Sequence, residues 1–330
     1  MTAPLLAVRH LRIHFPQRGL FGLARKPPIR AVDGVGFNLN EAEALGIVGE
    51  SGCGKSTLAR ALVGLQNVTD GSISYQGQNL TMNTPRQWRG LRREIQMVFQ
   101  DPLASLDPRM SIGRCIAEPL EFLCPELGAG ERSARVLEVM DRVGLSRALI
   151  HRYPHEFSGG QCQRVGIARA LVVRPRILVC DEPVSALDVS VQAQILNLLS
   201  DLRREQKLSM LFIAHDLAVV RHLCQRVMVM YLGKVMEYGQ GDALFRKPAH
   251  PYTRALLGSL PAPDLAQLGL QRELLGGELP SPANPPQGCV FVTRCPIADS
   301  VCGLNPPVLA RAVHGGHSAC HFTTSNWAAV

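Results

Sequence analysis

The sequence predicts an α/β fold in which helices flank a largely parallel β-sheet. Two observations support this. Short apolar runs typical of buried strands alternate with helical segments, and one such run leads through a glycine-rich loop into an apolar helix. Hydrophobic residues make up 46% of the 330 residues and charged residues 19%, which excludes a disordered chain, and every apolar run is far shorter than the ~18 residues that span a bilayer. At ~150 residues per domain, the length fits one large domain with an appendage, or two domains.

The predicted elements begin with a strand-like stretch, LLAVRHLRIHF, followed by an exposed Gly, Pro and basic loop over residues 17–30. Further strands are predicted at 44–48, 71–75, 95–99, 177–180 and 210–214, helices at 161–173 and 189–205, and a hairpin at 227–239 that turns at Gly233. Residues 101–157 lack strand-like runs, so we expect a helical insert over about 101–160. Beyond Phe245 the composition shifts to Pro and Gly, which predicts a boundary between a domain of residues 1–245 and a loop-rich extension of residues 246–330.

The net charge of +8 suggests an anionic partner, such as a nucleotide, nucleic acid or an anionic membrane surface. Basic residues are spread along the chain with only modest clusters, so we do not expect nucleic acid as a partner. The first residues, MTAPLLAVRH, lack the basic and apolar regions of a secretory signal. A cytoplasmic location is therefore expected.

The glycine-rich loop, GESGCGKST at residues 49–57, directly follows the strand ALGIV. Its glycines let several backbone N–H groups converge on phosphate oxygens at a helix N-terminus. In such a loop Lys55 reaches the β- and γ-phosphates, Ser56 offers a hydroxyl ligand to Mg²⁺, and Thr57 contacts the α-phosphate region. The spacing and the strand-loop-helix context favour this interpretation over a glycine-rich turn without a ligand, although the loop alone fits a kinase, a GTPase, a helicase or a transport ATPase. The predicted phosphate-binding residues are Gly49, Glu50, Ser51, Gly52, Cys53, Gly54, Lys55, Ser56 and Thr57, with Cys53 as a small filler.

A second, acidic motif helps to distinguish among these classes of phosphate-binding protein. The buried strand ILVC ends in Asp181 and Glu182, at the carboxyl end where a doubly wound sheet places its ligands. Asp181 is expected to hold Mg²⁺ through water. Because side chains alternate along a strand, Glu182 points elsewhere and suits a base that activates water for attack on the γ-phosphate.

The segment FSGGQCQRVGIARAL at 157–171 has the features of a second anion site. Ser158 can cap the helix, while Gly159 and Gly160 leave its first N–H groups open. With these residues the sequence resembles the nucleotide-binding subunits of ATP-binding cassette (ABC) transporters, whose signature motif is SGGQ and whose ATP sites form between two subunits. The resemblance covers essentially the whole chain. It implies a P-loop NTPase core with an antiparallel β subdomain and a helical insert subdomain, and it implies that Ser158, Gly160 and Gln161 act on the nucleotide held by the other subunit.

The same resemblance implies roles for further residues. Phe15 matches the aromatic position that stacks on adenine, and Gln100 matches the glutamine that contacts Mg²⁺ and the attacking water. Asp188 matches the residue that crosses the dimer interface, and His215 matches the switch histidine that contacts the γ-phosphate. One departure is Cys162 after the signature, where the family usually has Arg or another polar residue; a weakened contact within this helix is the expected consequence.

Several stretches resemble the peptide/nickel branch of the family, and most closely its dipeptide-transport ATPases: EPVSALDVSVQAQILNLL, FQDPLASLDPRM, RYPHEFSGGQ, HPYTRALL and the C-terminal PSPANPPQGCVFVTRCP. This resemblance implies an ATPase that uses ATP and Mg²⁺ to power import of dipeptides or oligopeptides. The implied partners are a second related ATPase, identical or different, two integral-membrane permease subunits and an extracytoplasmic peptide-binding protein. The implied location is peripheral, on the cytoplasmic face of the inner membrane, with residues 102–110 where a permease coupling helix docks.

Two other classes compete with this interpretation. A non-transport cassette ATPase acting on nucleic acid or ribosomes fits the basic charge, but such proteins usually carry two cassettes or long coiled coils. A P-loop kinase needs an acceptor-substrate site and gives no reason for SGGQ. Among transport substrates, dipeptides, longer peptides, nickel chelates and haem stay open, because other chains recognise them.

Four of the ten cysteines lie in the last 42 residues. Their spacing contains no C-x-x-C pair, which argues against a common zinc ribbon. A [4Fe–4S] cluster fits the wide spacing and is implied by the resemblance to some peptide-importer ATPases, while zinc and free structural thiols remain the alternatives. We expect the nearby His314, His317 and His321 to be exposed tail residues. The predicted cluster ligands are Cys289, Cys295, Cys302 and Cys320.

Overall fold

The computed structural model describes residues 3–18, 25–81, 85–260 and 276–322. The chain forms two compact units. One comprises Met1–Leu39, Ala44–Thr81 and Ala214–Val330, and the other comprises Asn40–Glu43 and Met82–Ile213. Within the described ranges, no helix has the length and apolar character needed to cross a bilayer.

The strands are β1 (Leu6–Arg18), β2 (Arg25–Leu39), β3 (Ala44–Val48), β4 (Asp70–Tyr75), β5 (Gln78–Asn79), β6 (Ile95–Val98), β7 (Ile177–Asp181), β8 (Ser209–Ala214), β9 (Arg226–Tyr231), β10 (Lys234–Gln240), β11 (Ala310–Arg311) and β12 (His317–Ser318). The helices are α1 (Lys55–Leu62), α2 (Pro85–Glu94), α3 (Ile112–Leu123), α4 (Ala129–Arg142), α5 (Gly159–Leu171), α6 (Val189–Gln206), α7 (Leu217–Leu223), α8 (Gly241–Arg246), α9 (Pro251–Gly258) and α10 (Ser300–Leu304). The predicted strands and helices are therefore present, with shifts of a few residues at their ends.

In the first unit, an antiparallel sheet has the strand order β2-β1-β4-β5. Strand β3 pairs in parallel with β9, which continues through the predicted hairpin into β10. Every residue of β3 is buried, as expected for an apolar strand covered on both faces. The phosphate loop begins directly after this strand.

The predicted exposed loop over residues 17–30 is wrong at both of its ends. Strand β1 continues to Arg18, and β2 already begins at Arg25 and pairs with β1 in an antiparallel register; residues 19–24 lie outside the described residues. Pro27 and Pro28 contributed to the wrong prediction because proline is typical of loops. Because β2 is the edge strand of its sheet, a proline that lacks an N–H can be accommodated there.

In the second unit, β6, β7 and β8 pair in parallel. All residues of β7 and β8 are buried, so the carboxyl end of β7 carries its acidic residues out of a rigid apolar core. Helices α3 and α4 occupy the predicted helical region, and α4 buries Val136, Val139 and Met140 at the predicted helical spacing. The division into a cassette of residues 1–245 and an extension of residues 246–330 stays a prediction.

The C-terminal extension has more regular structure than its composition suggests. Helix α9 buries seven of its eight residues, and β12 adds to β10 by antiparallel pairing. The expectation that His314 is exposed is wrong: its side chain is 1% exposed, and its Nε2 lies 2.8 Å from Oε1 of the fully buried Glu237. The buried Glu237 carboxylate on β10 is thus paired with a side chain from a segment distant in sequence.

Candidate functional site

The phosphate loop lies between the end of β3 and the start of α1 at Lys55. The Lys55 side chain is almost fully buried, and its ammonium donates to the carbonyl oxygens of Gly49 at 2.7 Å and Glu50 at 2.9 Å. The loop therefore curves around its own lysine. Ser51 and Gly52 are exposed, while Ser56 and Thr57 are partly exposed in the first turn of the helix.

Gly54 is required where the loop enters α1. Its φ of 101° lies in the left-handed region, and a Cβ placed on it would be 1.9 Å from the carbonyl oxygen of Ala31. Backbone atoms on β2 cannot yield easily to such a contact. Strand β2 thus fixes the loop at the residue that caps the helix.

Replacing Gly54 by Ala is expected to lower the free energy of unfolding by ~2 kcal/mol or more, because it adds a backbone clash to the left-handed strain. The matched control is Gly52→Ala, which has a φ of 79° but no atom within 4 Å of the added Cβ. The control should lose only the ~1 kcal/mol of the left-handed conformation. Denaturant titrations of both variants check this difference, and equal losses would contradict the role of Ala31.

Cys53 is fully buried inside the loop, with its Sγ 3.9 Å from the Lys55 ammonium. Burial raises the pKa of this thiol, although the nearby ammonium acts in the opposite direction. A neutral, buried thiol is a poor nucleophile. This environment agrees with the predicted role of Cys53 as a small filler.

The acidic pair stands at the end of β7 as predicted. Asp181 is the last residue of the strand and is 2% exposed, whereas Glu182 has a φ of 46°, in the left-handed region. The Glu182 carboxylate faces Gln100, whose Nε2 donates to Glu182 Oε2 at 3.0 Å. Two predicted site residues from the ends of neighbouring strands β6 and β7 thus meet in one hydrogen bond.

The signature segment forms the predicted helix start. Ser158 caps α5, accepting from Gln161 N at 3.3 Å, while Gln161 Oε1 accepts from Ser158 N at 3.0 Å. Gly159 is exposed, and a Cβ on Gly160 would lie 2.5 Å from Cγ1 of Val191 in α6. The glycine therefore allows close packing of α5 against α6 as well as access to the first N–H groups.

Cys162 is fully buried in α5, with its Sγ 3.5 Å from the carbonyl oxygen of Pro154. The residue thus contacts the short helical turn Pro154–Glu156 that precedes the signature. The capping hydrogen bonds of α5 are present beside it.

The remaining predicted residues, Phe15, Asp188 and His215, are partly or fully exposed. Phe15 is partly exposed on β1, opposite Ile29 of β2. Asp188 precedes α6 and is exposed, without a side-chain capping bond, and His215 is exposed directly after β8. Their roles in adenine stacking, dimer contact and γ-phosphate contact stay predictions.

The four late cysteines line one small cavity in the extension. Cys289 and Cys302 are buried and joined through their backbones, where Cys289 N donates to Cys302 O at 2.7 Å. Burial raises the pKa of the Cys295 and Cys320 thiols to about 11 in each case. Within the described part of the chain, no group of three or more His, Cys, Asp or Glu side chains has an arrangement that could hold a metal ion.

Sequence reasoning missed three residues that support the phosphate loop. The Tyr252 hydroxyl accepts from Glu50 N at 2.9 Å, and Arg294 pairs with the Glu50 carboxylate at 2.9 Å. The Tyr231 ring lies 4.7 Å from that of Tyr252. No local sequence pattern could have indicated that they lie near the loop, because each is more than 170 residues away from it in sequence.

The chain matches the family model of the ABC transporter over residues 32–185 and that of the oligopeptide/dipeptide transporter C-terminal region over residues 236–302. It is 55% identical over 308 residues to the oligopeptide transport ATP-binding protein OppF of Escherichia coli (strain K12), covering 92% of each chain. The chain belongs to the ABC transporter ATP-binding proteins. OppF of Haemophilus influenzae is 52% identical with 96% of each chain covered, and AppF of Bacillus subtilis is 48% identical with 96% and 97% covered.

Solved ABC structures agree with this assignment. The dimeric ATP-binding cassette MJ0796, in a post-hydrolysis state bound to ADP and Pi, superposes with a TM-score of 0.64 at 28% identity, covering 71% of this chain and 98% of that one. The cbiO1 cassette of Clostridium perfringens gives 0.63 at 28% identity, covering 74% and 92%. The predicted ABC cassette fold and the prediction of an ATPase are confirmed.

Proposed function

We propose that this ABC ATPase binds MgATP at residues 49–57 and hydrolyses it with Glu182 as the base that activates water. The hydrogen bond between Gln100 and Glu182 supports this proposal most directly, because it holds a carboxylate at the end of β7 in a defined orientation. In this proposal His215 contacts the γ-phosphate. The signature residues Ser158, Gly159, Gly160 and Gln161, together with Asp188, serve the nucleotide of a second subunit.

Mg²⁺ fits the residues proposed to hold it. The ion prefers oxygen donors, and Ser56, Gln100 and Asp181 offer a hydroxyl, an amide and a carboxylate. Asp181 ends β7 at the carboxyl edge of the sheet, the edge at which a doubly wound fold places its ligands. The bound ion would neutralise charge on the phosphates.

We further propose that hydrolysis powers import of oligopeptides or dipeptides through two integral-membrane permease subunits, fed by an extracytoplasmic binding protein. The names of the relatives and the match to the peptide-transporter C-terminal region support this proposal. The chain would work peripherally on the cytoplasmic face of the inner membrane, paired with a second ATPase. Residues 102–110, where Leu103 is 50% exposed, would contact a permease.

Peptide uptake tests this proposal. Cells that lack the chain should lose ATP-dependent uptake of a labelled tripeptide and regain it on complementation, and the tagged protein should co-purify from membranes with integral subunits. Glu182→Gln should retain the co-purification but not the uptake. Normal peptide uptake without the chain, or co-purification with nucleic acid or ribosomes in place of membrane subunits, would contradict it.

We also propose that Cys289, Cys295, Cys302 and Cys320 hold a [4Fe–4S] cluster. The convergence of four thiols on one cavity supports this proposal, although the thiols are not arranged as a ligand set in the structure. Iron bound by four cysteine thiolates would tie together the loops of the extension.

Protein purified without oxygen is expected to contain about four iron and four sulfide per chain and to absorb visible light. Cys302→Ser should lose the iron, whereas the buried single cysteine variant Cys180→Ser should retain it. Zinc in place of iron, or no metal with four free thiols, would refute the cluster.

A further inference from the structure

One partly buried ion pair joins the C-terminal extension to the phosphate loop. The Arg294 side chain is 6% exposed, and its Nη1 lies 3.1 Å and 2.9 Å from the two carboxylate oxygens of Glu50. Its Nε donates to the carbonyl oxygen of Gly276 at 2.9 Å, and Nη1 lies 3.4 Å from the hydroxyl of Tyr231. The guanidinium is therefore held from several sides, in a position that a solvated arginine does not keep.

Glu50 is in turn held at each of its polar groups. Its N–H donates to the Tyr252 hydroxyl at 2.9 Å, its carbonyl oxygen accepts from Lys55, and its carboxylate pairs with Arg294. The rings of Tyr231, Tyr252 and Phe291 pack with centroid distances of 4.7–5.3 Å. The second residue of the phosphate loop is thus fixed by side chains outside the loop.

The charge of Glu50 makes this contact relevant to nucleotide binding. A carboxylate in a loop that receives a polyanion repels it, and the repulsion is stronger where the group is shielded from water. The Glu50 side chain is 25% exposed, so water screens it only in part. Arg294 neutralises this charge and keeps the carboxylate turned toward the extension.

The position of Arg294 depends on the cysteine-containing segment. It ends the helical turn Val292–Arg294 and stands directly before Cys295. The turn is joined to Cys289 because Val292 N donates to Cys289 O at 3.0 Å, and Arg294 N donates to Phe291 O at 3.0 Å. The fold of this segment therefore decides where the guanidinium lies.

We propose that Arg294 is a positioning residue that neutralises and orients Glu50, so that the C-terminal extension sets the affinity of the phosphate loop for MgATP. The inference rests on the proposed role of residues 49–57 as the nucleotide site. It assigns to the extension a function in nucleotide binding.

The test is a double-mutant cycle on the full chain, with the dissociation constant of MgATP measured by titration calorimetry. Arg294→Ala should raise the Kd about tenfold, because it leaves the Glu50 charge uncompensated. In a Glu50→Gln background the same change should matter little, with the double variant within about threefold of Glu50→Gln alone. Arg294→Lys should lie between wild type and Arg294→Ala. The matched control is Arg311→Ala, an exposed arginine of the same extension, which should leave the Kd unchanged.

Two results would overturn the inference. The first is an Arg294→Ala variant that binds MgATP like Arg311→Ala. The second is a loss of affinity that is equally large in the wild-type and Glu50→Gln backgrounds, which indicates that Arg294 acts through packing alone. If circular dichroism shows that Arg294→Ala is unfolded, Arg294→Gln takes its place with the same expected results.

Lys55→Ala distinguishes a failure of the proposed MgATP site from a failure of the proposed role of Arg294. Unchanged MgATP binding in Lys55→Ala refutes the phosphate site itself. Lost binding in Lys55→Ala together with normal binding in Arg294→Ala refutes only the role of Arg294.

Discussion

Glu182→Gln is expected to lower ATP turnover about 10²- to 10⁴-fold, the usual contribution of a general base. Glutamine has nearly the same shape, and its amide oxygen can still accept the hydrogen bond from Gln100 that Glu182 accepts at 3.0 Å. The variant therefore keeps the local geometry but cannot take a proton from water. Phosphate release by the assembled transporter is the measurement, and the Kd of MgATP should stay within about threefold of the wild-type value.

The matched control for this prediction is Glu205→Gln, at an exposed position of α6 in the same unit. It should leave turnover unchanged. Undiminished turnover in Glu182→Gln would remove Glu182 from the role of base. A large rise in the Kd instead would make Glu182 a binding residue.

Glu237→Ala is expected to lower the free energy of unfolding by ~3–5 kcal/mol, because each buried polar group left without its partner costs ~1–3 kcal/mol and this side chain serves three of them. The Glu237 carboxylate is fully buried and accepts from the backbone N–H of Ala249 at 2.7 Å and of His250 at 3.0 Å, and it contacts His314 at 2.8 Å. Alanine would leave all three groups without their partner in the interior. Denaturant titration checks the loss.

The companion variants define the source of this stability. His314→Ala removes one of the three contacts and should cost less than Glu237→Ala. Glu278→Ala, at an exposed position in the same extension, should leave stability essentially unchanged. A Glu237→Ala variant as stable as Glu278→Ala would show that the buried carboxylate does not hold the extension to β10.

The local motifs of the site could be predicted because each is carried by a few consecutive residues. The loop GESGCGKST leads into α1 at Lys55, and Ser158 caps α5 through Gln161, as the sequence predicts. Apolar runs buried on both faces likewise identified β3, β7 and β8. In these segments short-range preferences and the tertiary fold agree.

Two predictions were wrong because contacts with residues distant in sequence outweigh the preferences of the local composition. The prolines of β2 indicate a loop, but the strand is formed by pairing with β1 at a sheet edge. His314 lies in a Gly-rich segment, which suggests exposure. Its side chain is nevertheless buried and contacts the buried carboxylate of Glu237. Neither outcome can be deduced from neighbouring residues.

The sequence by itself determined the phosphate loop, the acidic strand end, the signature helix and the ABC family, because these features depend on spacing within short segments. Only the tertiary structure decided which side chains support them. The contact between Gln100 and Glu182 joins two strand ends, and Arg294 reaches Glu50 across more than 240 residues of chain. Such pairs form wherever the folded chain brings polar groups close, and sequence distance does not limit which groups meet. The need for a partner is greatest for a buried charge such as that of Arg294.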